Sequence, residues 1–84
     1  METKKVQLKE KVVEVRELLA VESDEIMDMD LVKTSDRIRE RIKKMASLTD
    51  DDYSVLTEKE RDLIIAAMSE VNGWDFQVPK QKSD

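Results

Sequence analysis

The most strongly patterned stretch of the sequence runs from Thr57 to Gly73 and reads TEKERDLIIAAMSEVNG. Thr57 and Glu60 have the spacing of a capping box, in which each side chain accepts a hydrogen bond from the other residue's backbone at the start of a helix. Apolar residues then recur at helical spacing, at Leu63, Ile64, Ala67, Met68 and Val71. Asn72 and Gly73 supply a left-handed stop. The pattern predicts a helix over 58–71.

Nearer the N-terminus, apolar residues follow the 4-3-4 spacing of a heptad seam, at Leu8, Val12, Val15 and Leu19. This spacing predicts a helix over 4–21. A second apolar line falls on the opposite side of such a helix, at Val6, Val13 and Ala20. One line is expected to meet the rest of the monomer. The other is either covered within the same bundle or contacts a second chain in a helical or coiled-coil homo-oligomer.

A third apolar line occupies the middle of the chain, at Met27, Leu31, Thr34, Ile38, Ile42 and Met45. Its continuity favours one long helix over 24–46. Thr34-Ser35-Asp36 also has the composition of a helix start, so a break near residue 34 is the alternative. Residues 47–57 hold three consecutive aspartates and four serine or threonine residues, and they predict a connection in which Thr49 can start one short turn.

Composition agrees with an all-α fold. The 84 residues include one Gly, one Pro and only three aromatic residues, whereas β-sheet proteins usually need turn glycines and aromatic or β-branched runs. We therefore predict a single three-helix domain over 1–79. After the last helix, Trp74, Phe76 and Val78 alternate as in an extended strand, and residues 80–84 are expected to form a disordered tail.

The absence of Cys and His excludes disulfides, thiolate and imidazole metal sites, and catalysis by either side chain. The acidic clusters do not fit a calcium loop: one starting at Asp50 would need Gly at Val55 and Glu at Arg61. No metal or other cofactor is expected, no small-molecule substrate is indicated, and an enzyme is not predicted. No membrane span or leader pattern is present, so the cytoplasm is the expected compartment.

Charge alternates in blocks along the chain. The net charge of -5 combines -5 over residues 22–36, +4 over 37–46 and -4 over 47–62. Within the basic block, Arg37, Arg41 and Lys44 share a helical stripe that Lys33 extends, and such a stripe can follow a phosphate backbone. The competing interpretation is that these cations pair with the acidic blocks of the same chain or of a neighbouring copy. The acidic blocks could alternatively imitate nucleic-acid phosphates.

The remaining candidates for binding are aromatic and methionine side chains. Trp74 and Phe76 can anchor a protein interface or fold back over the open end of the core. The methionines at positions 27, 29, 45 and 68 are expected to fill gaps in the core rather than to form an adaptable surface.

These observations favour a small non-enzymatic helical protein that regulates a partner protein by occupying its surface. Its size and composition are typical of accessory proteins encoded by phages or mobile elements. The candidate partner or oligomer contacts are Val6, Val13, Ala20, Trp74 and Phe76. Three alternatives stay open: nucleic-acid binding through the basic stripe, an acidic mimic of DNA, and a purely structural oligomer.

Overall fold

The computed structural model describes residues 2–73, which form an α+β arrangement. Two strands come first, β1 at Thr3–Gln7 and β2 at Val12–Arg16. The helices that follow are α1 at Ala20–Asp28, α2 at Thr34–Met45, α3 at Asp50–Ser54 and α4 at Glu58–Asn72. The predicted all-α three-helix domain is therefore wrong, and so is the coiled coil, because a β-hairpin stands where the helix over 4–21 was expected.

The hairpin forms because its buried residues alternate. β1 and β2 pair antiparallel, with Val6 opposite Val13 and Lys4 opposite Val15. Val6, Val13 and Val15 are buried, while their sequence neighbours point outward and are exposed or half-buried. β-Branched side chains suit this half-buried pleated surface better than a helix. The heptad spacing of the leucines and valines was thus a coincidence of composition.

A two-residue turn, Lys9 and Glu10, joins the strands. The N–H of Leu8 donates to the carbonyl of Lys11 at 2.7 Å and closes the hairpin. Neither turn residue is Gly, Asn or Asp, and neither has a positive φ. The turn types with the clearest sequence signature need those residues. The hairpin therefore carries none of the usual turn signals in its sequence.

Helix α4 packs against the sheet and organises the core. The fully buried side chains come from three elements, and the largest are Val15, Ile42, Met45, Ile64 and Met68. Glu60 joins the helix start to the hairpin, since one carboxylate oxygen accepts from the N–H of Thr57 at 3.0 Å and the other from the N–H of Lys9 at 3.1 Å. These two backbone N–H groups, that of Thr57 most strongly, lower the pKa of Glu60.

The capping box at Thr57 gives a first testable prediction. Its hydroxyl accepts from the N–H of Glu60 at 3.1 Å, and no other group of the described chain replaces it there. Thr57→Ala should lower the free energy of unfolding by about 1 kcal/mol. Thr57→Ser keeps the hydroxyl and should stay close to the native value. Urea denaturation followed by circular dichroism measures both, and equal midpoints for the two variants would contradict a capping role.

The long helix predicted over 24–46 is wrong, and the alternative break near residue 34 is confirmed. α1 ends at Asp28, and Asp30 adopts a left-handed φ of 56° before α2 begins at Thr34. An Asp tolerates this region better than most residues do. The apolar line kept its phase across the break by chance, so its continuity did not identify one helix.

Two predicted elements are confirmed. α4 follows the predicted helix over 58–71 closely, with its capping box at Thr57 and Gly73 in the left-handed region at φ 72°. The short turn started by Thr49 is α3, whose Thr49 hydroxyl accepts from the N–H of Asp52 at 3.1 Å. The extended pattern at Trp74, Phe76 and Val78 and the predicted tail over 80–84 lie outside the described residues.

Candidate protein-binding surface

Exposed apolar side chains concentrate around α1 and the loop that follows it. Met27 is 68% exposed, Met29 47% and Val32 86%, although all three are large hydrophobic residues. We call these three residues the Met27 surface. Single exposed apolar residues are ordinary on a protein, but several within one short segment are typical of interaction sites.

α1 leaves these side chains exposed because it is short and rests on one neighbour. It packs against α2, and Ile26 is its buried side chain. Glu25 accepts a hydrogen bond from Lys44 of α2 at 2.9 Å and ties the two helices together on the surface. Ile26 is thus the side chain that α1 buries, and the methionines at 27 and 29 stay exposed.

Glu22 fixes the start of α1 against the sheet. It accepts from both terminal nitrogens of Arg16 at 2.9 and 2.6 Å, and also from the N–H of Leu19 at 2.9 Å. Leu19 precedes the helix and has no polar side-chain atom that could accept from the N–H groups of the first turn. Glu22 instead satisfies the N–H of Leu19 itself, which is one half of a capping box. The bidentate Arg16 contact is the main reason that the pKa of Glu22 falls to about 2.

A groove of about 460 Å³ opens between α1 and α2, and Met27 is part of its lining. Its lining is Ile26, Met27, Asp30, Leu31, Arg37 and Arg41. The Nε of Arg37 donates to the carbonyl of Leu31 at 3.1 Å, which holds the guanidinium at the edge of the groove. Apolar side chains and two guanidinium groups thus share one concavity, called here the α1–α2 groove.

The residues of the predicted basic stripe are divided between the α1–α2 groove and an ion pair with α1. Arg37 and Arg41 line the α1–α2 groove, and Lys33 is exposed just before α2. Lys44 is engaged with Glu25. Lys43, elsewhere on α2, contacts Asp50 at 2.6 Å and Glu40 at 3.2 Å, and Asp50 is the main reason that the pKa of Lys43 is raised. Pairing of these lysines within the chain is therefore observed.

The second apolar line, predicted as a possible contact between chains, does not form a continuous surface. Val6 and Val13 face each other across the hairpin and are buried by the monomer itself, whereas Ala20 is exposed at the start of α1. The helix that would have aligned them does not exist. Trp74 and Phe76 lie outside the described residues.

Two aspartates of α3 have lowered pKa values. Lys43 lowers the pKa of Asp50, and the backbone and hydroxyl of Thr49 lower that of Asp52. Within residues 2–73, no cluster of three acidic side chains is placed to hold a metal ion. None of the helices described for this chain is long and apolar enough to cross a bilayer.

Sequence reasoning missed the Met27 surface because it treated all four inner methionines alike. Met45 and Met68 are buried as predicted, but Met27 and Met29 are exposed. The sequence did contain an indication that this pair is exposed: in the stretch IMDMD, residues 28 and 30 next to the two methionines are both aspartates. Aspartate is rarely enclosed by a core, so its repetition next to these methionines is typical of a segment that stays at the surface.

Comparison with known proteins adds no relative. No family model matches the chain, and no curated protein or solved structure matches it significantly.

Proposed function

We propose that this protein is a small, non-enzymatic, cytoplasmic binding protein that regulates a partner protein by occupying its surface. The observation that carries the proposal is that Met27 is 68% exposed and also lines the α1–α2 groove. Exposed methionines can repack against differently shaped apolar partners, since the side chain is unbranched and polarisable. The groove next to them offers a concave seat for one anchoring side chain.

The chemistry of the groove indicates which kind of partner segment it fits. Ile26 and Leu31 contribute apolar surface, and Arg37 lies at the edge where its remaining guanidinium N–H groups can meet an acceptor. A segment with apolar anchors and a nearby carboxylate would satisfy both parts. Binding of this kind acts by exclusion: while the segment is covered, the partner cannot use it elsewhere.

Removing the exposed methionine and valine should weaken partner binding without unfolding the protein. Met27→Ser combined with Val32→Ser should reduce the amount of partner captured from the native host by about tenfold, equivalent to about 1.4 kcal/mol of interface free energy. Both side chains are largely exposed, so the thermal midpoint should change little. Affinity capture with quantitative mass spectrometry measures the loss.

Val55→Ser is the matched control, because Val55 is 76% exposed and lies between α3 and α4, outside the α1–α2 groove. Proteins retained by the control and lost by the double variant are the specific partners. Equal capture by all three proteins would refute the Met27 surface as the binding site.

Nucleic-acid binding through Lys33, Arg37, Arg41 and Lys44 is the alternative proposal. It is less well supported because Lys44 contacts Glu25 and the groove that contains Arg37 is also lined by apolar side chains and by Asp30. Each phosphate contact would steepen the salt dependence of binding by a slope of about -0.9 on a double-logarithmic plot. Steep salt dependence that Arg37→Glu abolishes would favour this alternative over a protein partner.

A further inference from the structure

The outer edge of β1 carries backbone groups that no described strand pairs. Within residues 2–73 the sheet has two strands, so each strand has one unpaired edge. The N–H of Leu8 donates to the carbonyl of Lys11 at 2.7 Å, and bonded and non-bonded pairs alternate along an antiparallel ladder. The backbone groups of the even-numbered residues of β1 therefore point to β2. Those that point away from β2 form what we call the β1 edge, at Thr3, Lys5 and Gln7.

A groove continues the β1 edge towards the start of α4. Its volume is about 530 Å³, and it is lined by Gln7, Leu8, Lys9, Thr57, Lys59, Glu60 and Leu63. Leu63 is 45% exposed although it is a large apolar residue, and Leu8 belongs to the core cluster. A side chain that enters the groove therefore meets apolar surface on both the hairpin and the helix. Edge and groove together offer backbone pairing and one apolar seat, which are the two components of a strand-addition site.

Lysines along the β1 edge and in its groove lack carboxylate partners. Lys5, on the edge, and Lys59, in the groove, are exposed, and neither forms an ion pair within residues 2–73. Lys9 also lines the groove, where the nearby charge is that of Glu60. Both oxygens of Glu60 already accept from backbone N–H groups. This basic strip lies on a chain with a net charge of -5, and it favours a ligand that brings carboxylates.

The unpaired edge of β2 has the opposite character. Its outward backbone groups belong to Val12, Glu14 and Arg16. The guanidinium of Arg16 is held by Glu22, whereas Glu14 is exposed and forms no ion pair within residues 2–73. An acidic strand would be repelled by Glu14 on this edge and attracted by Lys5 on the other, so charge selects the β1 edge.

We propose that the β1 edge binds an extended acidic peptide segment of a partner protein, which adds to the sheet as a third strand. Acidic and apolar side chains alternate along such a segment, because successive residues of a strand point to opposite faces of a sheet. The acidic side chains lie beside Lys5, which is on the outer face since its neighbour Val6 is buried on the inner one. The apolar side chains lie on the inner face, where the groove exposes Leu63. This groove shares no lining residue with the α1–α2 groove, so each surface can be tested alone.

Two other interpretations of the lysines fit the edge less well. A second copy, with β1 aligned antiparallel against β1 about residue 5, would place Lys5 opposite its counterpart, and like charges in that position destabilise a strand pair. Lysines on an unpaired edge are also a common device against unwanted strand pairing. A purely protective role does not explain why the edge continues into a groove that exposes Leu63.

Synthetic peptides test the proposal on the full-length chain. The probe alternates glutamate and valine and matches the five residues of β1 in length. In an NMR titration it should shift the amides of Lys5 and Gln7 and slow their hydrogen exchange, while the amide of Glu14 on the opposite edge stays unchanged. A lysine–valine peptide of the same length should bind at least about tenfold more weakly. N-methylation of the probe amides that face β1 removes the donors of the added strand and should abolish binding.

Charge reversal on the edge gives a matched pair of variants. Lys5→Glu should weaken binding of the glutamate–valine peptide by about tenfold, because an attractive cross-strand pair becomes a repulsive one. Lys33→Glu makes the same change at an exposed lysine before α2 and should leave the affinity unchanged. Both lysines are exposed, so neither change should alter the fold.

Several results would overturn the proposal. They are equal binding of the two peptides, undiminished binding of the N-methylated probe, a response at Glu14 instead of Lys5 and Gln7, or no response to the probe at millimolar concentration. Slow exchange at Lys5 and Gln7 in the free protein would also overturn it, because the edge would already be covered. Slow exchange that is lost on dilution would identify a second copy as the occupant, and slow exchange that persists would identify the chain itself.

Discussion

Val13→Glu should unfold the protein. Val13 is 6% exposed, lies opposite Val6 and belongs to the core between the hairpin and α4. A carboxylate at this position would be buried without a matched partner, since Lys11, on the same face of β2, already faces Asp52 at 3.8 Å. Burial of an unpaired charge costs more than about 4 kcal/mol, against a total stability of about 4–12 kcal/mol for a domain of this size.

The neighbouring residue offers a matched control. Val12 precedes Val13 on β2, points to the outer face and is 52% exposed. Val12→Glu introduces the same charge on the same strand and should change the free energy of unfolding by less than about 0.5 kcal/mol. Thermal melts followed by circular dichroism compare the two. A folded Val13→Glu variant that sediments as a monomer while the native protein sediments as an oligomer would restore Val13 as a contact between chains.

The expected failure of Val13→Glu also shows why the first element was predicted wrongly. Leu8, Val12 and Val15 fit a heptad, while Val6, Leu8, Val13 and Val15 fit a two-residue alternation on paired strands. Both patterns share residues, and a turn signal would have decided between them. The turn at Lys9 and Glu10 has none, because its backbone avoids the left-handed region that selects Gly or Asn.

The start of a helix could be predicted from the sequence where nearby side chains form the capping hydrogen bonds themselves. Thr57 with Glu60 and Thr49 with Asp52 each form a reciprocal cap within four residues, and both helix starts were predictable. α2 shows the opposite case. Its flanking residue is Lys33, which makes no side-chain cap, so the start of α2 depends on packing against α1 and α4.

The candidate site was only partly predictable for a related reason. Arg37 and Arg41 stood out as cations at helical spacing, and both line the α1–α2 groove. The groove itself exists because α1 stops at Asp28 and the chain turns at Asp30 before returning as α2. A continuous helix would have placed Met27 on the same buried stripe as Ile42. The exposure of Met27 is thus a consequence of the tertiary arrangement, which the spacing of apolar residues in the sequence does not reveal.

Acid should destabilise the protein through Glu22. Its pKa is about 2 in the folded chain against an ordinary value of 4.5, mainly because Arg16 binds the carboxylate through both terminal nitrogens. The unfolded chain therefore takes up a proton at a higher pH than the folded chain does. The stabilisation is complete above pH 4.5 and is lost as the pH falls toward 2. We expect a contribution of about 2 kcal/mol at neutral pH, allowing for partial exposure of the pair.

Glu22→Gln isolates this contribution, because the amide keeps the shape of the side chain but cannot carry the charge. At pH 7 the variant should be about 2 kcal/mol less stable than the native protein, and the difference should shrink to near zero by about pH 2. Asp24→Asn, on the same helix at an exposed position without a described partner, should show no comparable convergence. Urea midpoints measured across this range decide the matter. A gap between native protein and Glu22→Gln that persists at pH 2 would mean that shape and hydrogen bonding at Leu19, rather than the charge on Glu22, hold α1 against the sheet.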